Sequence, residues 1–202
     1  ETGSFQSGVL TVVPEDEPTP GPRAVTAAAR AALDEQVTPL EDTFALVVAE
    51  GRYERDAQVL EGPFAGLLRG ENDGVVNEFI PAEFDVAVDE PVTWRFLGPH
   101  SVSFDVPEYF PIVEFLDDGT VTYNEEIDEP AGGAPDPGDP PEEPGEPWVL
   151  DGGTYDGTGY WSSGVLYSDA WVEYTLRFSE PGEYPFACLI HPPMVGVVRV
   201  RE

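Results

Sequence analysis

The sequence contains no lysine, and its nine basic residues are all arginines. Forty acidic residues oppose them, so the formal net charge at pH 7 is −31 over 202 residues. A surface of this sign repels phosphate backbones and anionic lipid head groups, which excludes nucleic acids and anionic membranes as expected partners. It attracts cationic partners, and salt weakens its self-repulsion. A halophilic source would explain the acid excess; circular dichroism in low salt would then show loss of the fold.

Cysteine is also scarce, because Cys188 is the only one and cannot form an internal disulfide. The cysteine count therefore says nothing direct about the cellular compartment. No apolar run approaches the ~18 residues that a membrane-spanning helix needs, and no signal peptide is visible. The sequence begins abruptly at Glu1, so we expect that a leader or an anchor segment has been removed.

The length suits one domain or slightly more, and changes in composition divide the chain into three parts. Residues 1–22 predict a short strand followed by an acidic, proline-rich linker. Residues 23–51 predict a helical hairpin, and residues 57–202 predict a β domain. Gly8 to Val13 resembles the last strand-like run of the chain. The tail of an upstream repeat is one interpretation, and an ordinary short strand is the preferred one.

The helical hairpin is predicted from helix formers that a proline interrupts. Residues 23–37 are rich in alanine and other strong helix formers, and Pro22 suits the first helical turn. Pro39 separates this helix from a second one over residues 40–50, which Gly51 should end. We expect the hairpin to pack on the β domain and to have a structural role.

The β domain is predicted from short apolar or alternating runs that turn residues separate. These runs cover residues 59–60, 64–68, 75–79, 83–88, 91–96, 101–106, 113–115, 121–123, 148–150, 171–178, 181–188 and 195–200. Many short strands with turns between them favour a mainly β sandwich. Residues 107–148 form an insertion, within which the acidic, proline-rich segment 128–147 predicts a mobile extended loop.

Four residues of rare types predict a metal site. Cys188, the only methionine Met194 and one of the two histidines, His191, fall within seven residues. The second histidine, His100, follows the strand-like run 91–96. One thiolate, two imidazoles and one thioether are the complete ligand set of a type 1 copper site, in which methionine is a weak axial ligand. We therefore predict that these four side chains bind one copper ion.

Other roles for these residues stay open at this point. Cys188 alone would suit a small buried apolar position, His100 would suit a capping or surface position, and Met194 would suit the core. Zinc accepts the same nitrogen and sulfur ligands in vitro. Paired acidic residues between positions 117 and 143 are more consistent with a solvated surface than with a calcium site.

These motifs resemble the plastocyanin/azurin (cupredoxin) family of blue copper proteins. The order Cys188-x2-His191-x2-Met194 is most similar to the short ligand loop of amicyanin. Pro181 to Cys188 resembles the strand that precedes the cysteine ligand in the family, and the resemblance covers roughly residues 75–202. It implies a cupredoxin-like Greek-key β-sandwich that holds one type 1 copper, here with an N-terminal helical hairpin.

The resemblance also implies a function, a partner and a cellular location. We expect one-electron transfer by Cu(I)/Cu(II) cycling, with His191 as the partly exposed exit for the electron. Pro192, Pro193 and Pro99 would surround this exit. We expect a redox partner protein with a cationic docking surface, and an extracellular, periplasmic or cell-surface location. The alternative is a copper carrier, or a cell-surface structural or interaction module, that keeps the site without electron-transfer turnover.

Catalytic copper proteins fit the sequence less well. In multicopper oxidases and copper nitrite reductases, a histidine beside the cysteine serves a second copper centre, whereas Ala187 and Leu189 flank Cys188 here. A binuclear copper site needs a second cysteine, and a hydrolase needs a histidine that is free to act as a base. We therefore expect an electron carrier rather than an enzyme.

Overall fold

The computed structural model describes residues 12, 14, 17–55, 58–68, 75–107 and 110–202. Within them lie one α-helix, α1 (Pro22–Glu50), one 3-10 helix (Glu125–Ile127) and strands β1 to β14. The strands are β1 (Arg52–Arg55), β2 (Gln58–Glu61), β3 (Phe64–Leu68), β4 (Val75–Ile80), β5 (Glu83–Ala87), β6 (Val92–Phe96), β7 (Ser103–Phe104), β8 (Val113–Phe115), β9 (Val121–Tyr123), β10 (Trp148–Tyr155), β11 (Trp161–Ser162), β12 (Val172–Phe178), β13 (Gly182–Ala187) and β14 (Val195–Arg201). Most of the strand predicted within residues 1–22 falls outside the described residues.

Two five-stranded sheets pack face to face. The first has the strand order β10-β12-β6-β3-β4, and the second has the order β11-β7-β13-β14-β5. Aromatic rings fill the space between them: Trp94 of β6 contacts Phe186 of β13, with 5.6 Å between ring centroids. Phe178 of β12 contacts Phe104 of β7 at the same centroid distance, 5.6 Å. Residues of both sheets enter one core, so the predicted mainly β sandwich is confirmed.

The last two strands frame the segment that carries three of the predicted ligands. β13 and β14 pair antiparallel from Gly182↔Val200 to Ala187↔Val195, so residues 188–194 form the loop that connects them. β14 also pairs in parallel with β5, which places it inside the sheet rather than at an edge. Paired strands therefore hold both ends of the loop.

The N-terminal helix corrects the prediction of a helical hairpin. α1 runs unbroken from Pro22 to Glu50, and Pro39 lies inside it. A proline removes one backbone hydrogen bond and crowds the preceding turn, but it does not reverse the chain where helix formers continue on both sides. Thr43 Oγ1 donates a hydrogen bond to the Pro39 carbonyl oxygen (2.8 Å). As predicted, Pro22 occupies the first turn, and Gly51 ends the helix in the left-handed conformation (φ 66°).

Replacement of Pro39 by alanine is expected to stabilise the protein by about 1–3 kcal/mol, because alanine restores the missing N–H and removes the ring from a helix interior. Far-UV circular dichroism should show more helix, and the denaturant midpoint of unfolding should rise. The neighbouring exposed substitution Thr38→Ala is the control, and it should change the free energy of unfolding by less than about 1 kcal/mol. A loss of stability in Pro39→Ala would contradict this account of the helix.

The C-terminal half of α1 packs on the first sheet. Val47 is buried and Phe44 is half-buried in a cluster that includes Phe64 and Leu67 of β3. The N-terminal half, residues 22–36, is exposed to solvent. The helix is thus attached to the β domain through its last turns, beside strands β4 and β1.

The insertion after β7 contains both predicted and unpredicted structure. β8 and β9 occupy the predicted runs 113–115 and 121–123 and pair antiparallel. β7 has only two residues and is shorter than the strand predicted over 101–106. Residues 128–147 carry no helix or strand beyond an isolated bridge between Ala131 and Ser162, and their mobility stays a prediction. No helix in the described part of the chain is both long and apolar enough to cross a membrane.

Candidate metal centre

His100 reaches the site from the loop between β6 and β7. Its backbone forms a bridge with Leu166, whose N–H donates to the His100 carbonyl oxygen (2.9 Å). The N–H of the next residue, Ser101, donates to Cys188 Sγ (3.4 Å). The chain on the C-terminal side of His100 is therefore bonded directly to another predicted ligand, and tertiary contacts rather than a strand hold the imidazole in place.

The other three predicted ligands lie on the loop between β13 and β14. The Cys188 N–H donates to the Met194 carbonyl oxygen (3.0 Å), and the Met194 N–H donates to the His191 carbonyl oxygen (2.8 Å). The first bond joins the two ends of the loop, and the second forms a turn between His191 and Met194. Pro192 and Pro193 add stiffness because each fixes its own φ. The spacing Cys-x2-His-x2-Met is therefore compatible with a tight, preformed loop.

Three of the four predicted ligands, His100, Cys188 and His191, come together in space. Cys188 Sγ lies 3.8 Å from His100 Nδ1 and 3.4 Å from His191 Nδ1, and the three donor atoms lie within 4.8 Å of one another. A metal about 2.0–2.3 Å from nitrogen and sulfur ligands would separate neighbouring donors by about 3.5–4 Å, so this spacing fits a bound ion. Met194 is fully buried in the same core cluster as Cys188.

Burial controls the protonation of the donors. It lowers the pKa of His100 to about 3, helped by the nearby His191 ring, and it also lowers the pKa of His191. Both imidazoles are therefore neutral at pH 7 and keep the lone pair that a metal ligand needs. Burial raises the pKa of the Cys188 thiol, whereas backbone N–H groups around the sulfur, Ser101 foremost, oppose that shift. A bound cation would supply the remaining stabilisation of the thiolate.

This is the donor set of a type 1 copper site. A thiolate and two imidazoles suit copper in both oxidation states, and methionine is the usual weak axial ligand of such a site. Among the described residues, no other group of three or more His, Cys, Asp or Glu side chains is placed to hold a metal ion.

Solved structures that are similar to this chain include plastocyanins and amicyanins. The oxidised form of plastocyanin from Dryopteris crassirhizoma is 20% identical, with a TM-score of 0.33 over 62% of this chain and 90% of that chain. A Cu(I) methionine-to-alanine variant of amicyanin is 19% identical, with a TM-score of 0.35 over 75% of this chain and 93% of that chain. No protein-family model matches the sequence, and a search of curated proteins finds no match. Because these TM-scores lie below 0.5, the assignment of the copper site rests on the residues of this chain.

A buried chain of serine hydroxyls lies beside the copper site. The Leu189 N–H donates to Ser101 Oγ (2.9 Å), and Ser101 Oγ is 3.1 Å from Ser103 Oγ. Ser103 Oγ is in turn 2.9 Å from Ser162 Oγ, which accepts from the Gly164 N–H (3.1 Å). The hydroxyls thus connect the residue after the cysteine to the first residues of β7 and to β11. Buried polar groups that are satisfied in this way fix the relative positions of the segments that carry them.

Substitution of Ser101 by alanine is expected to destabilise the protein by about 1–3 kcal/mol, because the buried Leu189 N–H loses its acceptor. The visible spectrum of the copper-loaded variant should also shift, since the backbone directly after Cys188 loses the bond from Leu189 N–H to Ser101 Oγ. Chemical denaturation and absorption spectroscopy measure the two effects. Ser163→Ala is the matched control: Ser163 Oγ is also buried and accepts from the Val102 N–H (3.0 Å), but it does not contact the ligand loop. An equal spectral shift in both variants would argue against the role of Ser101.

Two neighbours of the copper site were not predicted from the sequence. Ser101 stands beside a predicted ligand, but its residue type alone does not reveal that its hydroxyl contacts the residue after Cys188. Gly66 of β3 lies against the His100 ring. An isolated glycine within a strand-like run indicates a bulge or a close backbone approach, so the sequence contains a signal that would have pointed to this position.

Proposed function

We propose that the protein carries single electrons between redox partners through one type 1 copper, with His100, Cys188, His191 and Met194 as the ligands. The observation that carries the proposal is the convergence of a buried thiol and two imidazoles, whose Nδ1 atoms lie 3.8 Å and 3.4 Å from Cys188 Sγ. Copper bound there would alternate between Cu(I) and Cu(II), and so accept and release one electron.

The surrounding residues support a carrier because they hold the donors in place. The Ser101 N–H is bonded to the Cys188 sulfur, and two backbone bonds close the loop from Cys188 to Met194. His100 is tied to Leu166 through its backbone. Donors that are held by bonds of this kind move little when the charge at the site changes by one electron, which keeps the barrier to transfer low.

His191 is proposed as the exit for the electron. It is half-buried, whereas His100 and Cys188 are each 2% exposed and Met194 is 0% exposed. His191 is thus the donor that lies nearest to solvent. Pro192 and Pro193 follow it in the chain and are exposed, so an uncharged surface adjoins the ring. Such a surface allows close approach of a partner without desolvation of charged groups.

The proposal is tested by copper loading, visible spectroscopy and voltammetry. We expect one copper per chain, an intense absorption band in the red and a reversible one-electron couple. A colourless copper-loaded protein would reject electron transfer. A copper carrier would show a different outcome, namely rapid loss of the metal to a competing chelator and no reversible couple. The burial of three of the four ligands favours slow release.

A cationic partner is part of the proposal, and the charges of the β domain support it. The arginines of the two five-stranded sheets each form an ion pair with a carboxylate of the same chain; they are Arg95, Arg177, Arg199 and Arg201. Their positive charges are therefore offset by neighbouring acidic side chains. The acidic residues that exceed the arginines give the chain its net charge of −31, and we propose that they make the surface acidic. Long-range attraction of this kind accelerates encounter with cations and is weakened by salt.

The rate of electron exchange is expected to depend on salt in opposite directions for probes of opposite charge. Oxidation of the Cu(I) protein by the cation tris(1,10-phenanthroline)cobalt(III) should slow by roughly tenfold or more from low to physiological salt, because screening removes the attraction. Oxidation by hexacyanoferrate(III) should accelerate, because screening removes repulsion. Stopped-flow absorbance at the visible band measures both rates. A salt-independent rate with the cation would contradict an acidic surface that steers the partner.

An extracellular, periplasmic or cell-surface location completes the proposal, together with a role as a carrier and not as an enzyme. The resemblance of the ligand loop supports the location. Detection of the protein in fractions of the source cells tests it, and recovery only from the cytoplasm would contradict it.

A further inference from the structure

We propose that Gly66 is a positioning residue for His100, and that the absence of a side chain at Gly66 creates the space which the imidazole occupies. The inference concerns a residue of β3, which contributes no ligand and lies far from the ligand loop in sequence. It rests on the proposed copper site for its functional meaning, but the contact itself is made between protein atoms alone.

Gly66 lies where the pairing of β3 with β4 is irregular. Between the pairs Ala65↔Phe79 and Leu67↔Val76, Gly66 alone stands opposite two residues of β4, so β4 carries a bulge here. Gly66 itself has φ +76°, in the left-handed region. The regular alternation of side chains along β3 is broken at this point: Ala65 enters the main core, whereas Phe64 and Leu67 both enter the cluster under α1. Irregularities of this kind redirect backbone and side chains near functional sites.

The His100 ring lies directly against the α-carbon of Gly66. A Cβ built on Gly66 would lie 2.9 Å from Cε1 and 3.0 Å from Cδ2 of His100, and it would overlap Nε2 outright. Real Cβ atoms do not approach side chains so closely, so the ring would have to move if any other residue stood here. Both residues are buried, which leaves little room for such a movement.

The position of this contact on the ring gives it a consequence for the metal. Nε2 faces Gly66, and Nδ1, on the other side of the ring, faces Cys188 Sγ at 3.8 Å. The backbone of His100 is fixed by its bridge to Leu166, so the main chain cannot follow a displaced ring. A side chain at Gly66 would therefore act on Nδ1, which is the atom that binds copper.

The test compares Gly66→Ala with Gly132→Ala. Gly132, which lies in the insertion, is a matched control. It also has a left-handed φ (+70°), and its added Cβ would overlap the carbonyl oxygen of Tyr160. Both variants thus carry backbone strain and a steric overlap, but only one of them touches a ligand. The readouts are imidazole nitrogen resonances of the metal-free protein, copper affinity and the visible spectrum. The chain has two histidines, so the resonances are simple to assign.

We expect Gly66→Ala to shift the nitrogen resonances of one imidazole in the metal-free protein. It should also lower copper affinity by about 10- to 100-fold, the range for loss of a residue that orients a ligand, and displace the visible band. Gly132→Ala should leave all three readouts as in the wild type. Unchanged resonances and affinity in Gly66→Ala, or equal changes in both variants, would overturn the inference. A wild-type protein that binds no copper would refute the proposed function, whereas the metal-free resonances would still decide the role of Gly66.

A second comparison covers the case in which Gly66→Ala does not fold. In a His100→Ala background the three atoms nearest to the added Cβ are gone, and an alanine at position 66 keeps the strain of the left-handed φ. We expect the double variant to fold, and Gly66→Ala to shift the unfolding midpoint much less in this background than in the wild type. An equal shift in both backgrounds, or failure of the double variant to fold when His100→Ala alone folds, would show that the ring is not the reason for glycine.

Discussion

Replacement of Cys188 by serine is expected to abolish the intense visible absorption of the copper-loaded protein. The colour of a type 1 site comes from charge transfer between a thiolate and Cu(II), and Cys188 is the only source of a thiolate in the chain. A serine hydroxyl has a similar shape, but it stays protonated and is a poor ligand for copper. Copper affinity should therefore fall by at least about 100-fold, which is more than the loss expected when a residue that only orients a ligand is replaced.

The matched control for this prediction is Met194→Leu. Leucine keeps the volume of the buried side chain but removes the thioether, which is a weak axial ligand. The control should retain the red band and show a changed reduction potential. Absorption spectroscopy and voltammetry on both variants separate the two roles. An undiminished band in Cys188→Ser would show that the sulfur does not bind the metal.

Loss of the Phe186 ring is expected to lower the free energy of unfolding by about 3–5 kcal/mol, the usual cost of replacing a buried phenylalanine with alanine. The ring is 3% exposed and lies between the sheets. Its centroid is 4.5 Å from Phe79, 5.6 Å from Trp94 and 5.7 Å from Phe104. Edge-on and tilted aromatic pairs of this kind add to the burial energy, so the cavity left behind would remove contacts with both sheets.

Phe115→Ala provides the same chemical change at an exposed position. Phe115 of β8 is 77% exposed, so its loss should change the free energy of unfolding by no more than about 0.5 kcal/mol. Denaturant unfolding of both variants in the metal-free state gives the comparison. Since Phe186 lies two residues before Cys188, copper binding by Phe186→Ala should weaken as well. Equal stability of the two variants would contradict the assignment of Phe186 to the central core.

The proposed ligand set could be named from the sequence because its signal is local and chemical. The chain has one cysteine, one methionine and two histidines, and three of these residues occur on one loop. The strands on both sides of that loop were also predictable, since alternation of apolar and polar residues reflects which face of a strand is buried. β13 and β14 lie close to where this pattern placed them.

Other features depended on energies that local rules do not contain. Pro39 was expected to end a helix, but helix formers on both sides and packing of the last turns keep α1 continuous. β1 was not predicted, because Arg52–Arg55 has no strong alternation and forms a strand through pairing with β2. The length of β7 was overestimated, since its pairing with β13 and β11 is limited to two residues.

By itself the sequence determined which atoms are available to bind a metal and how the three ligands of the loop are spaced. It also determined the acidic sign of the surface. The tertiary structure decided what those ligands meet: that His100 comes to the loop through its bridge to Leu166, and that the Ser101 hydroxyl accepts from Leu189. It also decided that Gly66 leaves space for the imidazole. Such contacts join segments that are distant along the chain, and only the close packing of the folded core brings them together.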